Sequence, residues 1–314
     1  MVKAGRIAAL LGFALASWLM WETFRSSGPK VQVVLPSGLN ARQAARLLAR
    51  AGVIDSPRLF KLLLKTTGLD RQLKPGEYRL GAPMPLSRLL RALRAGPPGI
   101  RVVIPEGFSA QQIAERLDAA AVCRRRDFLR LVKRRRLEGR LFPTTYYLDS
   151  GSAPEAVIRR MLAEFDKTIP PVYQASGSRM GLEAALALAS IVEREARKDA
   201  ERPLIAAVYL NRLRLGMRLE ADPTVQYALG YWKKGLTRQD LKVASPYNTY
   251  VHRGLPPGPI CNPGLNSFEA VLHPATTDAL YFVADNRGGH IFSATNTQHI
   301  RAKQKIRREL RARR

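Results

Sequence analysis

An internal repeat constrains the fold of the first half of the chain more than any other feature of the sequence. Residues 33–54, VVLPSGLNARQAARLLARAGVI, align with residues 102–123, VVIPEGFSAQQIAERLDAAAVC. Each copy has the pattern of an apolar strand, a Pro-x-Gly turn and an amphipathic helix, which Asn40 or Ser109 caps. Two copies are too few for a solenoid. Paired β-α units of this kind favour a small recognition module over a catalytic site.

The remainder of the sequence predicts a mixed fold. Residues 73–80 predict a turn and a strand, residues 85–96 a helix, and residues 140–151 an extended aromatic connector. The second half predicts mainly helices and one hairpin, in the following segments: helices at 153–167, at 181–197, from Pro203 to Gly216, from Asp222 to Gly230 and from Thr297 onward, a Pro- and Gly-rich loop at 245–266, and strands ALYFVAD and HIFSATN joined by NRGG.

The length and composition allow several domains. With 314 residues, of which 46% are apolar, the chain can form two or three domains with real cores. We predict an α+β protein in three parts: an N-terminal anchor and linker (1–29), a recognition module with the aromatic connector (30–150), and a mainly helical domain with the hairpin and a basic C-terminal helix (151–314).

The N-terminal segment has an apolar run of 15 residues from Ile7 to Trp21. A membrane-spanning helix needs roughly 20 residues, so the run is short. Trp18 and Trp21 suit a membrane interface, which favours a transmembrane anchor. A cleavable signal peptide is the alternative, because residues 14–16, ALA, resemble a small-residue cleavage site. The apolar run continues beyond that site, which favours an uncleaved anchor.

The charge of the chain is strongly positive. Its 52 Lys and Arg residues against 25 Asp and Glu residues give a net charge of +27. Such a balance suits a polyanion: nucleic acid, anionic lipid or an acidic polymer. Two basic clusters, 123–136 and 301–314, carry much of the charge, but they contain one aromatic residue, Phe128. A single-stranded nucleic-acid binder interleaves basic and aromatic residues, so we expect no nucleic acid.

The sequence lacks the common signatures of cofactor and metal enzymes. There is no GxSxG, no phosphate-binding GxxxxGK[ST], no HExxH and no CxxC. The four histidines show no metal-ligand spacing, and neither do Cys123 and Cys261, whose pairing in a disulfide is neither implied nor excluded. We therefore expect no metal and no cofactor. If the chain is an enzyme, its chemistry uses carboxylates.

Two glutamates end the apolar segment LALASIVEREAR at 186–197. On a helix, Glu193 has Arg197 at i+4, which predicts an ion pair and a low pKa. Glu195 has Asp199 at i+4 and lies over apolar residues, so we expect a raised pKa, as a proton donor at neutral pH needs. Lys198 at i+3 opposes this shift. The alternative is that both glutamates are solvated at the helix end.

Several polar residues are candidates for binding a substrate beside such an acid. Each also has a structural interpretation, such as a helix cap for Asp222 or a turn residue for Asn248. An Asn-Thr pair between tyrosines, YNTY at 247–250, suits a sugar-binding rim. The candidates are Asn211, Arg212, Arg218, Asp222, Gln226 and the YNTY segment, and of these we favour Asn211, Arg218, Asp222, Gln226, Asn248 and Thr249 for the lining.

Five segments carry a resemblance to a known family. They are LFPTTYYL (141–148), ASIVEREA (189–196), VYLNRLRLGMRLEADPTVQYALG (208–230), SPYNTYVHRGLPPGPICNPG (245–264) and LYFVADNRGGHIFSATNTQH (280–299). In this order they resemble the motifs of the MltG/YceG-like endolytic murein transglycosylases. The first segment departs from the pattern, because Thr144 stands where an aspartate is usual.

The resemblance implies a location and a reaction. It implies a single-pass protein of the cell inner membrane with its catalytic domain in the periplasm, in which the repeat region is a LysM-like module that contacts glycan. The implied reaction cleaves the β-1,4 bond from N-acetylmuramic acid to N-acetylglucosamine in nascent peptidoglycan strands and limits their length. The muramoyl C6 hydroxyl closes onto C1 and leaves a 1,6-anhydro end, without a cofactor. The implied partners are peptidoglycan strands, the membrane and penicillin-binding-protein synthases.

The resemblance also implies residue roles. The second glutamate of the family's E-x-E pair is catalytic, and it is Glu195 here. Because the nucleophile is on the substrate, one carboxyl can act as acid and then as base, and neither Glu220 nor Asp222 needs to be a nucleophile. Glu193 would support the site by orienting the helix end through Arg197.

Two other functions remain open at the level of sequence. One is a membrane-anchored, non-catalytic glycan-binding protein, which leaves the E-x-E pair without a role. The other is a hydrolytic, lysozyme-like muramidase, which in its retaining form needs a second carboxylate about 5 Å away. We further expect the Cys261 thiol to be exposed in its loop, and the attraction of the positive charge to an anionic partner to weaken with salt.

Overall fold

The computed structural model describes residues 28–36, 39–69, 73–74, 76–97, 99–233 and 235–312. It divides into two compact units, one ending at Gly99 and one beginning at Ile100. The apolar run from Ile7 to Trp21, predicted to be a membrane anchor, lies outside the described residues. Within these residues we find no helix with the length and apolar character that crossing a membrane requires.

The fold is α+β, as predicted, with eleven α-helices and six short strands in the described residues. The strands are β1 (Lys30–Leu35), β2 (Gly76–Gly81), β3 (Ile100–Val103), β4 (Thr145–Leu148), β5 (Tyr281–Ala284) and β6 (His290–Ser293). The helices are α1 (Ala41–Arg50), α2 (Pro57–Thr66), α3 (Leu86–Ala95), α4 (Ala110–Ala119), α5 (Arg125–Arg135), α6 (Pro154–Ser176), α7 (Leu182–Glu195), α8 (Arg202–Arg214), α9 (Asp222–Leu229), α10 (Leu265–Leu272) and α11 (Asn296–Ala312).

The internal repeat is larger than the aligned residues. Each copy is a strand-helix-helix-strand unit, β1-α1-α2-β2 and β3-α4-α5-β4, whose two strands pair antiparallel. The predicted caps are confirmed, since Asn40 and Ser109 each form a capping box with the glutamine three residues on. The strand and helix predicted at 73–80 and 85–96 are β2 and α3.

The boundary between the two units separates the two copies of the repeat. The sequence predicts that both copies belong to one module that ends at residue 150. In the structure the second copy belongs instead to the unit that continues to the C-terminus. Its core explains why, because α6 supplies Val157, Ile158 and Met161 to the cluster that surrounds Ile113 and Phe128. The second copy therefore has no apolar core of its own that ends near residue 150.

Helix α6 continues beyond its predicted end at residue 167. It runs to Ser176 through Pro170 and Pro171, and Gly177 ends it in the left-handed conformation. A proline inside a helix leaves the carbonyl four residues earlier without its N–H partner. Those carbonyls belong to Asp166 and Lys167, which are exposed, so water can satisfy them.

Helix α7 lies in the core of the second unit. All eight residues from Ala185 to Val192 are buried, and the helix packs against α8 and α10. The predicted hairpin is confirmed as the antiparallel pair β5 and β6, followed by the basic helix α11. The core thus fixes the end of α7, which carries the two glutamates.

Candidate active site

Helix α7 ends at Glu195, two residues before its predicted end. The next residue, Ala196, has extended backbone with φ −68° and ψ 128°. Arg197 and Asp199 therefore do not continue the helix surface, and the predicted i+4 pairs of Glu193 with Arg197 and of Glu195 with Asp199 were wrong. The positive charge of Arg197 acts on Glu195 instead, where it lowers the pKa.

Glu193 is the buried partner of an arginine from the next helix. Its Oε1 lies 3.2 Å from Nη1 of Arg202, and its Oε2 accepts the backbone N–H of Gly264 at 3.0 Å. Arg202 is 8% exposed and also donates to Oδ1 of Asp199 at 3.0 Å. Glu193 thus joins the end of α7 to the starts of α8 and α10. Its partner is therefore Arg202 and not Arg197, and its supporting role in the site stays a prediction.

The Pro-x-Gly turn of the second repeat copy lies against this ion pair. A Cβ atom at Gly264 would overlap the Glu106 carboxylate, so the close approach of that carboxylate requires glycine there. Burial and the neighbouring Glu193 carboxylate raise the pKa of Glu106. On the same side, Arg194 donates to the carbonyl of Gly107 at 3.3 Å. The second copy therefore forms part of the surroundings of the two glutamates.

Glu195 is half-buried and has the properties of a proton donor. Burial and the Asp222 carboxylate raise its pKa to about 7, although Arg194, Arg197 and a hydrogen bond oppose the rise. That hydrogen bond comes from the Tyr209 hydroxyl, which donates to Oε1 at 3.0 Å. Among the described residues, Oε2 has no hydrogen-bond partner, so this oxygen is available to a substrate.

Asp222 and Tyr250 complete the group around Glu195. The Tyr250 hydroxyl donates to Oδ1 of Asp222 at 2.5 Å. Asp222 is the first residue of α9, and the N-cap is Ala221, so Asp222 does not cap the helix as predicted. The structure brings Glu195, Tyr209, Asp222 and Tyr250 together. The Asp222 carboxylate raises the pKa of Glu195, and Tyr250 raises the pKa of Tyr209. No role was predicted for Tyr209, which lies in a helical segment without a chemical motif, and Tyr250 was predicted as part of the YNTY segment without its contact to Asp222.

Asn248 and Thr249 are buried and hold their own loop. Asn248 donates to the carbonyls of Leu241 and Val243 at 3.0 and 2.9 Å. Thr249 Oγ1 accepts the N–H of Ala221 at 3.0 Å and lies 2.9 Å from Oγ1 of Thr224. Both side chains therefore act on the backbone that positions Tyr250 and Asp222. Their predicted contact with a substrate stays a prediction.

The other predicted lining residues, Asn211, Arg218 and Gln226, lie in three different environments. Asn211 donates to the carbonyls of Thr277 and Ala279 at 2.9 and 3.1 Å, which joins α8 to the segment before β5. Arg218 is exposed. Gln226 lines a cleft and accepts the N–H of Lys233 at 2.9 Å. Of these three, Gln226 lines this cleft, and Asn211 and Arg218 do not.

That cleft, of about 1400 Å³, is bounded by α4, the end of α5, the end of α9 and the loop around Tyr247, and Glu195 does not line it. It contains another carboxyl, Glu138, whose pKa burial raises to about 7. Glu138 was not predicted as a site residue, because its partners come from distant segments of the chain. It accepts the N–H of Ala110 at 2.9 Å, the amide N–H of Asn262 at 3.1 Å and the hydroxyl of Tyr227 at 3.2 Å.

Glu138 and Glu195 differ in what their oxygens can do. Both oxygens of Glu138 accept hydrogen bonds from the protein, so they are occupied by groups that hold the fold. Glu195 has one oxygen, Oε2, without a hydrogen-bond partner among the residues that the structure describes. Of the two carboxyls, Glu195 is therefore the one that can transfer a proton to a bound molecule, and Glu138 is a structural anchor in the cleft wall.

The aromatic connector is built into the fold by its backbone. Leu141 donates its N–H to Oδ1 of Asn262 at 2.8 Å, and the carbonyl of Thr144 accepts the N–H of Ile104 at 2.9 Å. The hydroxyl of Tyr146 donates to the carbonyl of Phe142 at 2.6 Å. Thr144 thus contributes to this hydrogen bonding through its backbone carbonyl, which a threonine and an aspartate supply equally.

Both cysteines are free and buried. The expectation that the Cys261 thiol is exposed was wrong, because the thiol lies in the core and donates to the carbonyl of Ser190 at 3.3 Å. Burial raises the pKa of both thiols, that of Cys123 to about 11. In the described part of the chain, no cluster of three or more His, Cys, Asp or Glu side chains could hold a metal ion.

Comparison with known proteins matches residues 33–305 to the profile of the YceG-like family. The chain belongs to the YceG-like family. This YceG-like chain is 32% identical, over 93% of its length and 89% of the relative, to a Bacillus subtilis protein named endolytic murein transglycosylase. A Streptococcus pneumoniae protein of the same name is 31% identical over 85% of the chain, which spans 56% of that longer relative.

A solved structure supports the same relationship. The crystal structure of a YceG-like protein from Listeria monocytogenes matches with a TM-score of 0.60 and 33% identity, over 88% of this chain and 99% of that chain. The family that the sequence motifs indicated is therefore confirmed.

Proposed function

We propose that this YceG-like protein is an endolytic murein transglycosylase, a lyase that cleaves peptidoglycan glycan strands. It cuts the β-1,4 bond from N-acetylmuramic acid to N-acetylglucosamine in nascent strands, leaves 1,6-anhydro ends and limits strand length. The observation that carries the proposal is the half-buried Glu195 carboxyl, with a pKa near 7, one oxygen held by Tyr209 and the other free. The names of the related proteins support the same assignment.

The geometry suits a single carboxyl that acts twice. The protonated Glu195 donates its proton to the glycosidic oxygen as that bond breaks. The resulting carboxylate then takes the proton of the muramoyl C6 hydroxyl, whose oxygen bonds to C1. Proton and oxygen counts balance without water, and Glu195 returns to its protonated state. Tyr209 holds the carboxyl in place through both steps.

A hydrolytic muramidase is the rival, and Asp222 is the carboxylate that it would use. Asp222 lies near enough to raise the pKa of Glu195, but its Oδ1 accepts the Tyr250 hydroxyl at 2.5 Å. In the proposed reaction Asp222 and Tyr250 have an electrostatic role. In a retaining hydrolase Oδ2 of Asp222, which has no hydrogen-bond partner among the described residues, would instead attack C1, so the chemistry of the new strand ends decides between the two reactions.

The location and partners belong to the proposal as well. We place the protein in the cell inner membrane, anchored by its N-terminal segment, with the catalytic unit in the periplasm. The first unit, with its strand-helix-helix-strand-helix order, is proposed to be the LysM-like module that contacts glycan. Penicillin-binding-protein synthases, which make the strands, are the proposed protein partners.

The function is tested with the purified full chain and long, uncrosslinked glycan strands. We expect the mean strand length to fall early, because cleavage is internal, and each new end to be lighter by one water than a reducing sugar. Strands shortened from their ends, or new reducing ends, would contradict the proposal. Strands that are bound and never cut, even with a synthase present, would favour the non-catalytic alternative.

The rate of cleavage should fall as the pH rises above about 7. The Glu195 pKa is raised to about 7, so the protonated form needed for the first step decreases about tenfold per pH unit above that value. The measurement is the pH profile of kcat/KM. Glu138 has a pKa of about 7 too, so Glu138→Gln is the control: the alkaline limb should remain in that variant. Its loss would assign the limb to Glu138.

A further inference from the structure

The cleft beside α9 has one wall that is aromatic. Tyr227 and Tyr247 line it with ring centroids 4.9 Å apart, and Trp232, which also lines it, has the Arg194 guanidinium carbon 3.7 Å from its ring centroid. Rings with a polar edge and an apolar face suit ligands that are apolar on one side and polar on the other, as sugars are. This wall fits a saccharide.

Another part of the lining is basic and belongs to the end of α5. Lys133, Arg135 and Arg136 line the cleft there and are exposed. No carboxylate in the described part of the chain forms an ion pair with any of these three residues. They come from the basic cluster at 123–136, which the proposed reaction does not use.

The acidic residues of the cleft are already engaged. Glu183 pairs with Arg140, Glu115 pairs with Arg125 at 3.4 Å, and Glu138 accepts hydrogen bonds at both oxygens. The positive charge of the α5 wall is therefore not neutralised from within the cleft. A ligand that carries carboxylates would complement it.

The dipole of α5 gives an alternative reason for basic residues at its C-terminal end. That reason applies equally to Arg134, which lies in the same last turn and does not line the cleft. The dipole alone does not explain why three cations line one concave surface that is also lined by aromatic rings. Arg126, Arg130 and Arg134, on the same helix and outside this cleft, provide a matched comparison.

The cleft is joined to the catalytic glutamate by α9. Asp222, at the start of α9, acts on Glu195, and Gln226, one turn later, lines the cleft. One helical turn is about 5.4 Å. A second link is Arg194, the neighbour of Glu195, which stacks on Trp232. The cleft is thus connected to the surroundings of Glu195 by one turn of α9 and by the contact of Arg194 with Trp232.

We infer that this cleft is a subsite for the acidic peptides carried by the glycan strand. The aromatic wall holds the sugar, and Lys133, Arg135 and Arg136 bind the carboxylates of the attached peptides. The inference rests on the proposed function for its choice of ligand. It predicts that the protein distinguishes peptide-bearing strands from strands without peptides.

The test compares two triple variants of the full chain, each also carrying Glu195→Gln so that strands stay intact. The cleft variant is Lys133→Ala, Arg135→Ala and Arg136→Ala, and the control is Arg126→Ala, Arg130→Ala and Arg134→Ala, with the same change in charge. The ligands are fluorescent strands with their peptides, and the same strands stripped by an amidase. We expect the cleft variant to bind peptide-bearing strands about tenfold more weakly, or ~1.4 kcal/mol, and stripped strands unchanged.

Three results would overturn the inference: equal weakening by both triple variants, equal weakening on stripped strands, or no weakening. The difference should also shrink at about 1 M salt, where charges are screened within about 3 Å. Cleavage by the chain with Glu195 intact is measured separately. Anhydro ends with no binding difference would reject the subsite alone, and a binding difference without anhydro ends would reject the proposed reaction alone.

Discussion

Replacing Glu195 with glutamine should lower the rate of glycan-strand cleavage by a factor of about 10² to 10⁴, the usual contribution of a general acid-base group. Glutamine keeps the shape of the side chain and can still meet the Tyr209 hydroxyl, but it cannot donate and recover a proton. The measurement is kcat on long strands. The affinity for the strand should change little, because glutamine keeps the size of the side chain and removes only its ability to transfer a proton.

The stability of this variant is its internal control. The Glu195 pKa is raised to about 7 in the folded protein, above its value of about 4.3 in an unfolded chain. Ionising the carboxyl therefore destabilises the fold as the pH rises through this window, and the penalty is complete above about pH 7. The glutamine variant should be at least as stable as the wild type at pH 8. Exposed Glu155→Gln should leave the rate unchanged, and a Glu195→Gln protein that cuts at the wild-type rate would contradict the assignment.

Replacing Arg202 with alanine should destabilise the second unit by about 3–5 kcal/mol, the range for removing one partner of a buried ion pair. The loss leaves the Glu193 carboxylate, whose side chain is 6% exposed, without its cation. Nearby Glu106 would add to the repulsion, since Glu193 already raises its pKa. Urea unfolding would measure the effect as a lower midpoint at an unchanged slope.

Two comparisons test the effect of burial on the Glu193–Arg202 ion pair. The double replacement Glu193→Gln with Arg202→Met removes both charges and should cost less than Arg202→Ala alone. The pair Glu115 and Arg125, with both side chains 47% exposed at 3.4 Å, should be worth about 0–1 kcal/mol when broken. If Arg202→Ala and Arg125→Ala lowered the free energy of unfolding by similar amounts, the Glu193–Arg202 ion pair would not have the effect expected of a buried pair.

Local patterns predicted the elements of this fold well. The capping residues Asn40 and Ser109 and the glycines after the helices mark ends that depend on neighbouring residues in the chain. The end of α7 has no such signal, because Ala196 and Arg197 are good helix formers. The ion pair predicted for Glu193 was therefore assigned to the wrong arginine, since its partner is fixed by tertiary contacts.

The environment of Glu195 was predictable from the sequence, and the surroundings of the predicted lining residues were less so. The apolar residues before Glu195 already indicate burial and a raised pKa. Asn248 and Thr249 have the right chemistry for sugars, but the loop uses them for its own backbone, as such residues commonly do. The role of Glu138 rests on contacts with three distant segments, which a single sequence does not reveal.

The most direct test of the account is to run the cleavage in water enriched in the heavy oxygen isotope and weigh the new strand ends. If Glu195 transfers a proton while the C6 hydroxyl attacks C1, the new ends are anhydro sugars without heavy oxygen, and they disappear in Glu195→Gln. One heavy oxygen at each new end would show that water attacks C1. That result would contradict the transglycosylase mechanism and make Asp222 the carboxylate to examine next.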